Sequence, residues 1–107
     1  HFTMEQANVF LEALDSIPEG DGTLLDNCAI IISSEVSEGR SHSLDDYPLI
    51  LAGSAGGQFK QDIHFRSHSR ENANKFTLSV LRAMGMNLTS FGAGESETSD
   101  GLTAIEA

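Results

Sequence analysis

The sequence predicts an α/β fold, in the form of an incomplete layer of a few strands packed with two helices. Two of the strands are predicted to be interior and one to lie at the edge. Short apolar runs at 28–32 and 48–52 are typical of strands that are buried on both faces. Longer stretches at 3–17 and 70–84 place their apolar residues at helical spacing. A length of 107 residues allows one small domain with a modest core.

The first predicted helix covers residues 3–17. Thr3 and Gln6 have the spacing of a capping box, and Pro18 ends the helix because proline cannot continue it. One stripe of apolar residues recurs at helical spacing and is expected to face the core. It consists of Ala7, Phe10, Leu11, Leu14 and Ile17.

The two apolar runs are expected to be neighbouring strands of one sheet, parallel or mixed, with Ile31 and Leu51 nearly inaccessible to solvent. The first run, 28–32, is rich in β-branched residues, and the second opens with Pro48, which the first residue of a strand tolerates. The alternation of residues at about 59–66 predicts a third strand at the edge of the sheet.

A second helix is predicted over 70–84, and Gly85 is well placed as the residue that follows its end. The remaining stretch, 87–107, carries four acidic residues, no basic residue and few apolar ones. Such a composition is typical of disorder in isolation, so this tail should be ordered only by contacts. The predicted organisation is therefore an α/β segment over 1–86 followed by an acidic tail.

The composition excludes some partners and favours others. A net charge of −10 disfavours nucleic acid, which requires clustered Lys and Arg, and no apolar run is long enough to span a membrane. A small basic patch at His64, Arg66, His68 and Arg70 suits an anion or an acidic partner, or is a solvated edge. Interior strands need cover on both faces, which two helices barely supply. We therefore expect contacts from other protein chains or from a further part of the same polypeptide.

One long run carries a resemblance to a known family: EGDGTLLDNCAIIISSEVSEGRSHSLDDYPLILAG, residues 19–53. It resembles the C-terminal part of the bacterial HXXSHH family of unknown function, named for an upstream His-x-x-Ser-His-His motif. That family belongs with the alkaline-phosphatase-like superfamily of α/β hydrolytic enzymes. The resemblance extends from the first helix through MGMNLTSFG and implies an exported protein, in the periplasm or at the cell surface.

The resemblance also implies candidate metal ligands, namely Glu35 and His42, with Asp45 and Asp46 close by. Such a set suits a hard or borderline divalent ion, although no cofactor is certain. In the alternative, Glu35 caps the loop or pairs with Arg40, and His42 is hydrogen-bonded to one of the aspartates. Leu44 stands where the family pattern has a second histidine, and the upstream motif and any nucleophile are absent from these residues. No catalytic residue is assigned.

Two functions follow from these observations. In the first, the chain is a non-catalytic or degenerate relative that acts as a structural or interaction subunit of a larger assembly. In the alternative, it is the C-terminal part of a divalent-metal-dependent hydrolase of phosphate or sulfate esters, with metal-activated water or a nucleophile located elsewhere.

Overall fold

The computed structural model describes all residues from 1 to 107 and is an α/β fold with two helices and two small antiparallel sheets. The chain forms two compact units, 1–57 and 58–107, and the predicted boundary after residue 86 does not coincide with this division. In chain order the elements are α1 (Phe2–Asp15), β1 (Pro18–Glu19), β2 (Gly22–Thr23), β3 (Ile30–Ser33), β4 (Leu49–Ala52) and α2 (Asn74–Ala83).

Helix α1 confirms the first predicted helix, with both ends shifted by one or two residues. His1 is the N-cap residue and makes no side-chain capping bond, so the predicted capping box does not form. The helix packs on a short 3-10 turn, Leu25–Asn27, that follows the hairpin of β1 and β2. No residue of α1 is buried. The predicted apolar stripe is therefore only partly covered, and Phe10 is 52% exposed.

Strands β3 and β4 are neighbours, as predicted, but they pair antiparallel, so the expected parallel or mixed arrangement is wrong. Their register pairs Ile31 with Leu51 and Ile32 with Ile50. The sheet contains only these two strands, which leaves both of them at an edge. The prediction of two interior strands is therefore wrong as well: Ile31 is 45% exposed, and Leu51 is half-buried rather than inaccessible.

The chain leaves β4 through a turn that requires glycine at position 53. The φ angle of Gly53 is +86°, and a Cβ atom there would collide with the carbonyl oxygen of Cys28. The turn folds back on the first strand because Ala55 N–H donates to the same Cys28 oxygen at 2.9 Å. The chain therefore turns back along β3 directly after β4.

The third predicted strand, at about 59–66, does not form. Only Phe59 is paired, in an isolated antiparallel bridge with Glu106, and no helix or strand occurs between residues 60 and 73. Asp62 and Arg70 both have positive φ angles, of 56° and 55°. A residue in the left-handed region interrupts an extended segment, so the predicted strand is broken. Helix α2 begins at Asn74 rather than at the predicted residue 70, because the left-handed φ of Arg70 is not helical.

Helix α2 ends as the sequence predicts. Gly85 has a φ angle of +94°, its N–H donates to Arg82 O, and Met86 N–H donates to Leu81 O, each at 3.0 Å. These two bonds form a Schellman motif, in which a left-handed glycine satisfies the last carbonyls of a helix.

The core lies entirely in the second unit. Its buried apolar side chains are Phe59, Phe76, Leu78, Val80 and Ile105. Three come from α2, one from the segment before it and one from the tail, so the tail is part of this core. Lys60 N–H donates to Ile105 O at 2.8 Å, and Ala107 N–H donates to Gln58 O at 3.0 Å. Contacts do order the tail, and the structure supplies them from within the same unit.

Candidate functional site

The polar loop between β3 and β4, residues 34–48, holds the side chains that the sequence marks for chemistry. Its base is closed by Ser33 Oγ, which donates to the carbonyl oxygen of Pro48 at 3.0 Å. Above the base, an isolated bridge pairs Glu38 with Ser43, and both the N–H and the Oγ of Ser37 donate to Ser43 O, at 2.8 and 2.7 Å. The loop is therefore a small hairpin extension, with a tight turn between Glu38 and Ser43.

The carboxylate that organises this turn belongs to Glu38. It accepts hydrogen bonds from the N–H of Arg40 at 3.0 Å and the N–H of Ser41 at 2.7 Å, and from the Ser41 hydroxyl. The turn places His42 in the left-handed region, with a φ of 54°. Hydrogen bonds to the charged carboxylate, first from the Ser41 hydroxyl and then from the two backbone N–H groups, lower the pKa of Glu38. The carboxylate of Glu38 therefore holds the turn together through three hydrogen bonds.

The four predicted metal ligands, Glu35, His42, Asp45 and Asp46, all lie on this loop and are all exposed. Nowhere in the chain do three or more His, Cys, Asp or Glu side chains come together in a way that could hold a metal ion. In this structure the four residues are not gathered into a ligand set, and their role as metal ligands stays a prediction. A metal site on these residues rests on the sequence resemblance.

A second cluster, which the sequence analysis missed, lies in the unit 58–107. Ser79, only 3% exposed, donates its hydroxyl to Glu106 Oε1 at 2.6 Å and accepts the N–H of Leu102 at 2.7 Å. The two side chains border an open pocket of about 320 Å³, lined also by Gln58, Phe59, Arg82, Ala83 and Ala107. A separation of 27 residues hides such a pair from any local sequence pattern.

The hydrogen bonds of Ser79 join α2 to the tail. A serine nucleophile needs a general base that takes its proton and a free path to the substrate, whereas the oxygen of Ser79 is buried and holds a backbone N–H. The guanidinium of Arg82, which also lines the pocket, donates hydrogen bonds to the carbonyl oxygens of Leu88, Thr89 and Ser99 at 3.0–3.2 Å. These bonds fasten the tail to α2.

The predicted basic patch lies on the irregular segment 60–73. His64, Arg66, His68 and Arg70 are all exposed there, beside the exposed apolar side chains of Ile63 and Phe65. The structure thus keeps the patch at the surface, and both the anion and the solvated-edge interpretations remain predictions.

The most distinctive surface is apolar and belongs to the unit 1–57. That unit contains none of the buried residues of the chain and eight of its twelve exposed large apolar side chains: Phe2, Met4, Val9, Phe10, Ile17, Ile31, Leu44 and Ile50. Exposed apolar side chains mark a surface that another molecule covers where they form a contiguous patch. Neither helix of the structure is long and apolar enough to cross a membrane, as the composition predicts.

No protein-family model, curated protein or solved structure matches the sequence of this chain.

Proposed function

We propose that this chain is a non-catalytic structural or interaction component of a larger assembly, and that the unit 1–57 is the part that makes the contacts. The assembly is formed with other protein chains or with a further part of the same polypeptide. One observation carries the proposal: the unit 1–57 has a helix and two hairpins but no buried side chain, while its large apolar residues stay in contact with water.

The energetic argument follows from that observation. Each square ångström of apolar surface left in water forgoes about 25 cal/mol of stabilisation. A segment of this size must also offset the conformational entropy of ordering its backbone, at about 1–2 kcal/mol per residue. The second unit offsets part of this cost with five buried apolar side chains, contributed by α2, the segment before it and the tail. The first unit lacks such a core, so cover from a partner supplies what its own residues do not.

The hydrogen bonds and the exposure of the polar side chains support the proposal that the chain is non-catalytic. The best-organised carboxylate of the loop, Glu38, accepts three hydrogen bonds from its own turn, and the predicted ligands are exposed and form no group of three or more that could hold a metal ion. The buried serine of the second unit serves the tail. We retain from the family resemblance the proposal that the protein is exported and works in the periplasm or at the cell surface. The alternative of a metal-dependent hydrolase has no geometric observation in its favour.

Residue-resolved amide hydrogen exchange on the full chain tests the proposal. We expect amides of α2 around Leu78 and Val80 to be strongly protected, because opening them exposes the core. Amides of α1, β3 and β4 should exchange at least about 100-fold faster, since local stability follows buried apolar contacts. A control with Leu78→Ala should lower protection in the second unit and leave the first unchanged. Equal protection in both units of the unmodified chain would show that the first unit is complete by itself, and the proposal would fail.

A further inference from the structure

Helix α1 has two apolar faces, and only one of them is used by its own unit. At 100° per residue, Ala7, Leu11 and Leu14 share one face, and all three are half-buried. Phe2, Val9 and Ala13 lie within about 40° of one another on a different face. Phe10 lies between that face and the covered one, about 60° from Ala13, and the exposed Gln6 lies between Ala13 and Phe10. We name Phe2, Val9, Phe10 and Ala13 the outer stripe. Its three large side chains are 72%, 60% and 52% exposed, in that order along the chain.

Acidic side chains border the outer stripe. Glu5 and Glu12 lie about 40–60° beyond Val9 around the helix axis, and both are exposed. Each is held by a residue on the same helix or at its start: Glu5 Oε1 lies 3.0 Å from His1 Nδ1, and Glu12 accepts a hydrogen bond from Asn8 at 2.7 Å. The outer stripe is about 16 Å long and has carboxylates along one side, a pattern that is also found in helices that pack on another helix.

The charge of the unit determines which partner fits. Residues 1–57 contain ten Asp and Glu and a single basic residue, Arg40, for a net charge of −9, whereas residues 58–107 carry six acidic and five basic residues, for −1. A second copy of this chain would bring another unit of charge −9 against the first, and like charges oppose association. An anionic membrane surface is disfavoured for the same reason. A partner with basic residues around an apolar face is complementary in both respects.

We propose that the outer stripe of α1 is the docking site for a basic amphipathic helix of another polypeptide. This inference rests on the proposed function and names the chemistry of the partner. The apolar side of the incoming helix packs on Phe2, Val9 and Phe10, and its Lys or Arg side chains lie opposite Glu5 and Glu12. Apolar contact supplies the affinity, while the charge supplies specificity and a faster association rate.

The test uses the full chain and two labelled helical peptides of about 18 residues, long enough to form a helix on binding. Both carry leucine on one face; the other face carries lysine in the first peptide and glutamate in the second. Titration followed by fluorescence anisotropy gives the two dissociation constants. We expect the lysine peptide to bind at least about tenfold more tightly, and its affinity to fall as salt is added.

Val9→Asp is the decisive variant. Valine and aspartate have similar helix propensity, and the like-charge pairs with Glu5 and Glu12 cost α1 only about 0.2–0.5 kcal/mol each. The new carboxylate would strengthen a purely electrostatic association with lysine, so weaker binding identifies an apolar contact at the outer stripe. We expect a loss of about tenfold or more. Ile63→Asp is the matched control, because Ile63 is 47% exposed and lies in the other unit. It should leave the affinity for the peptide unchanged.

Three results would overturn this inference. The first is equal affinity for the two peptides, and the second is an equal effect of Val9→Asp and Ile63→Asp. The third is a different occupant of the outer stripe. If the chain self-associates in sedimentation and Val9→Asp abolishes this, the stripe binds a second copy of the chain. If the chain binds phosphatidylcholine vesicles more tightly than the peptide, the stripe binds lipid. In each case the exchange measurement on the unit 1–57 still decides the proposed function separately.

Discussion

Replacing Leu78 by alanine tests whether the core of this protein lies where the structure places it. Leu78 lies in α2 and is 0% exposed. The substitution removes about three methylene-sized groups, which forfeits about 2.4 kcal/mol of transfer free energy at about 0.8 kcal/mol each. The cavity that remains adds to this loss, so the free energy of unfolding of the second unit should fall by about 2–5 kcal/mol.

Ile31→Ala is the matched comparison, because Ile31 belongs to the run that the sequence marks as most buried. It is 45% exposed, so alanine loses only about half of the transfer term and leaves no closed cavity. The expected cost is about 1 kcal/mol or less. Amide exchange resolved by residue is the appropriate assay, since it reports the opening free energy of each unit by itself.

Two outcomes would refute this reasoning. If Ile31→Ala costs as much as Leu78→Ala, the first unit has a core of its own. If Leu78→Ala costs less than about 1 kcal/mol, the side chain is not packed as described. Should the alanine variant unfold the second unit altogether, Leu78→Val provides the smaller deletion, with an expected loss of about 1 kcal/mol.

Two further predictions concern hydrogen bonds. Ser79→Ala removes the acceptor of the Leu102 N–H and the donor to Glu106. The Leu102 amide should therefore exchange about 5- to 150-fold faster, which corresponds to about 1–3 kcal/mol. An unchanged exchange rate would mean that the tail is held by other contacts. Ser41→Ala should raise the lowered pKa of Glu38 toward the ordinary glutamate value, as carboxyl NMR titration would show. The pKa of Glu38 is lower in the folded chain than in the unfolded chain. Its stabilising effect is therefore fully present above the unfolded pKa of about 4.3 and is lost as the pH falls through the folded pKa. A Glu38 titration in the unmodified chain with no lowered pKa would contradict this account.

The sequence by itself determined the local features that depend on neighbouring residues. The first helix and the two apolar strands follow from short-range spacing. The end of α2 at Gly85 follows from the backbone freedom of glycine. These features require no knowledge of distant residues, so a single sequence is sufficient to predict them.

The tertiary structure alone decided which apolar residues are covered. Ile31 and Leu78 are equally apolar in the sequence, yet one is 45% exposed and the other 0%. Hydrophobicity predicts that a residue gains from burial, but burial also requires a surface to pack against, and that surface comes from elements far apart in the chain. The tail shows the same effect: its composition is typical of disorder, but Ile105 is buried and Glu106 bridges Phe59, so the tail is ordered.

The direction of strand pairing and the organisation of the polar loop were also decided at this level. An apolar run of four or five residues suits a parallel strand as well as a hairpin, because the side-chain pattern does not record which way the neighbour runs. Once β3 and β4 pair antiparallel, the loop between them becomes a hairpin extension. Within it, the backbone N–H groups of Arg40 and Ser41 point at Glu38 rather than Glu35. Which carboxylate the loop holds depends on the turn, and the turn forms only when the two strands meet.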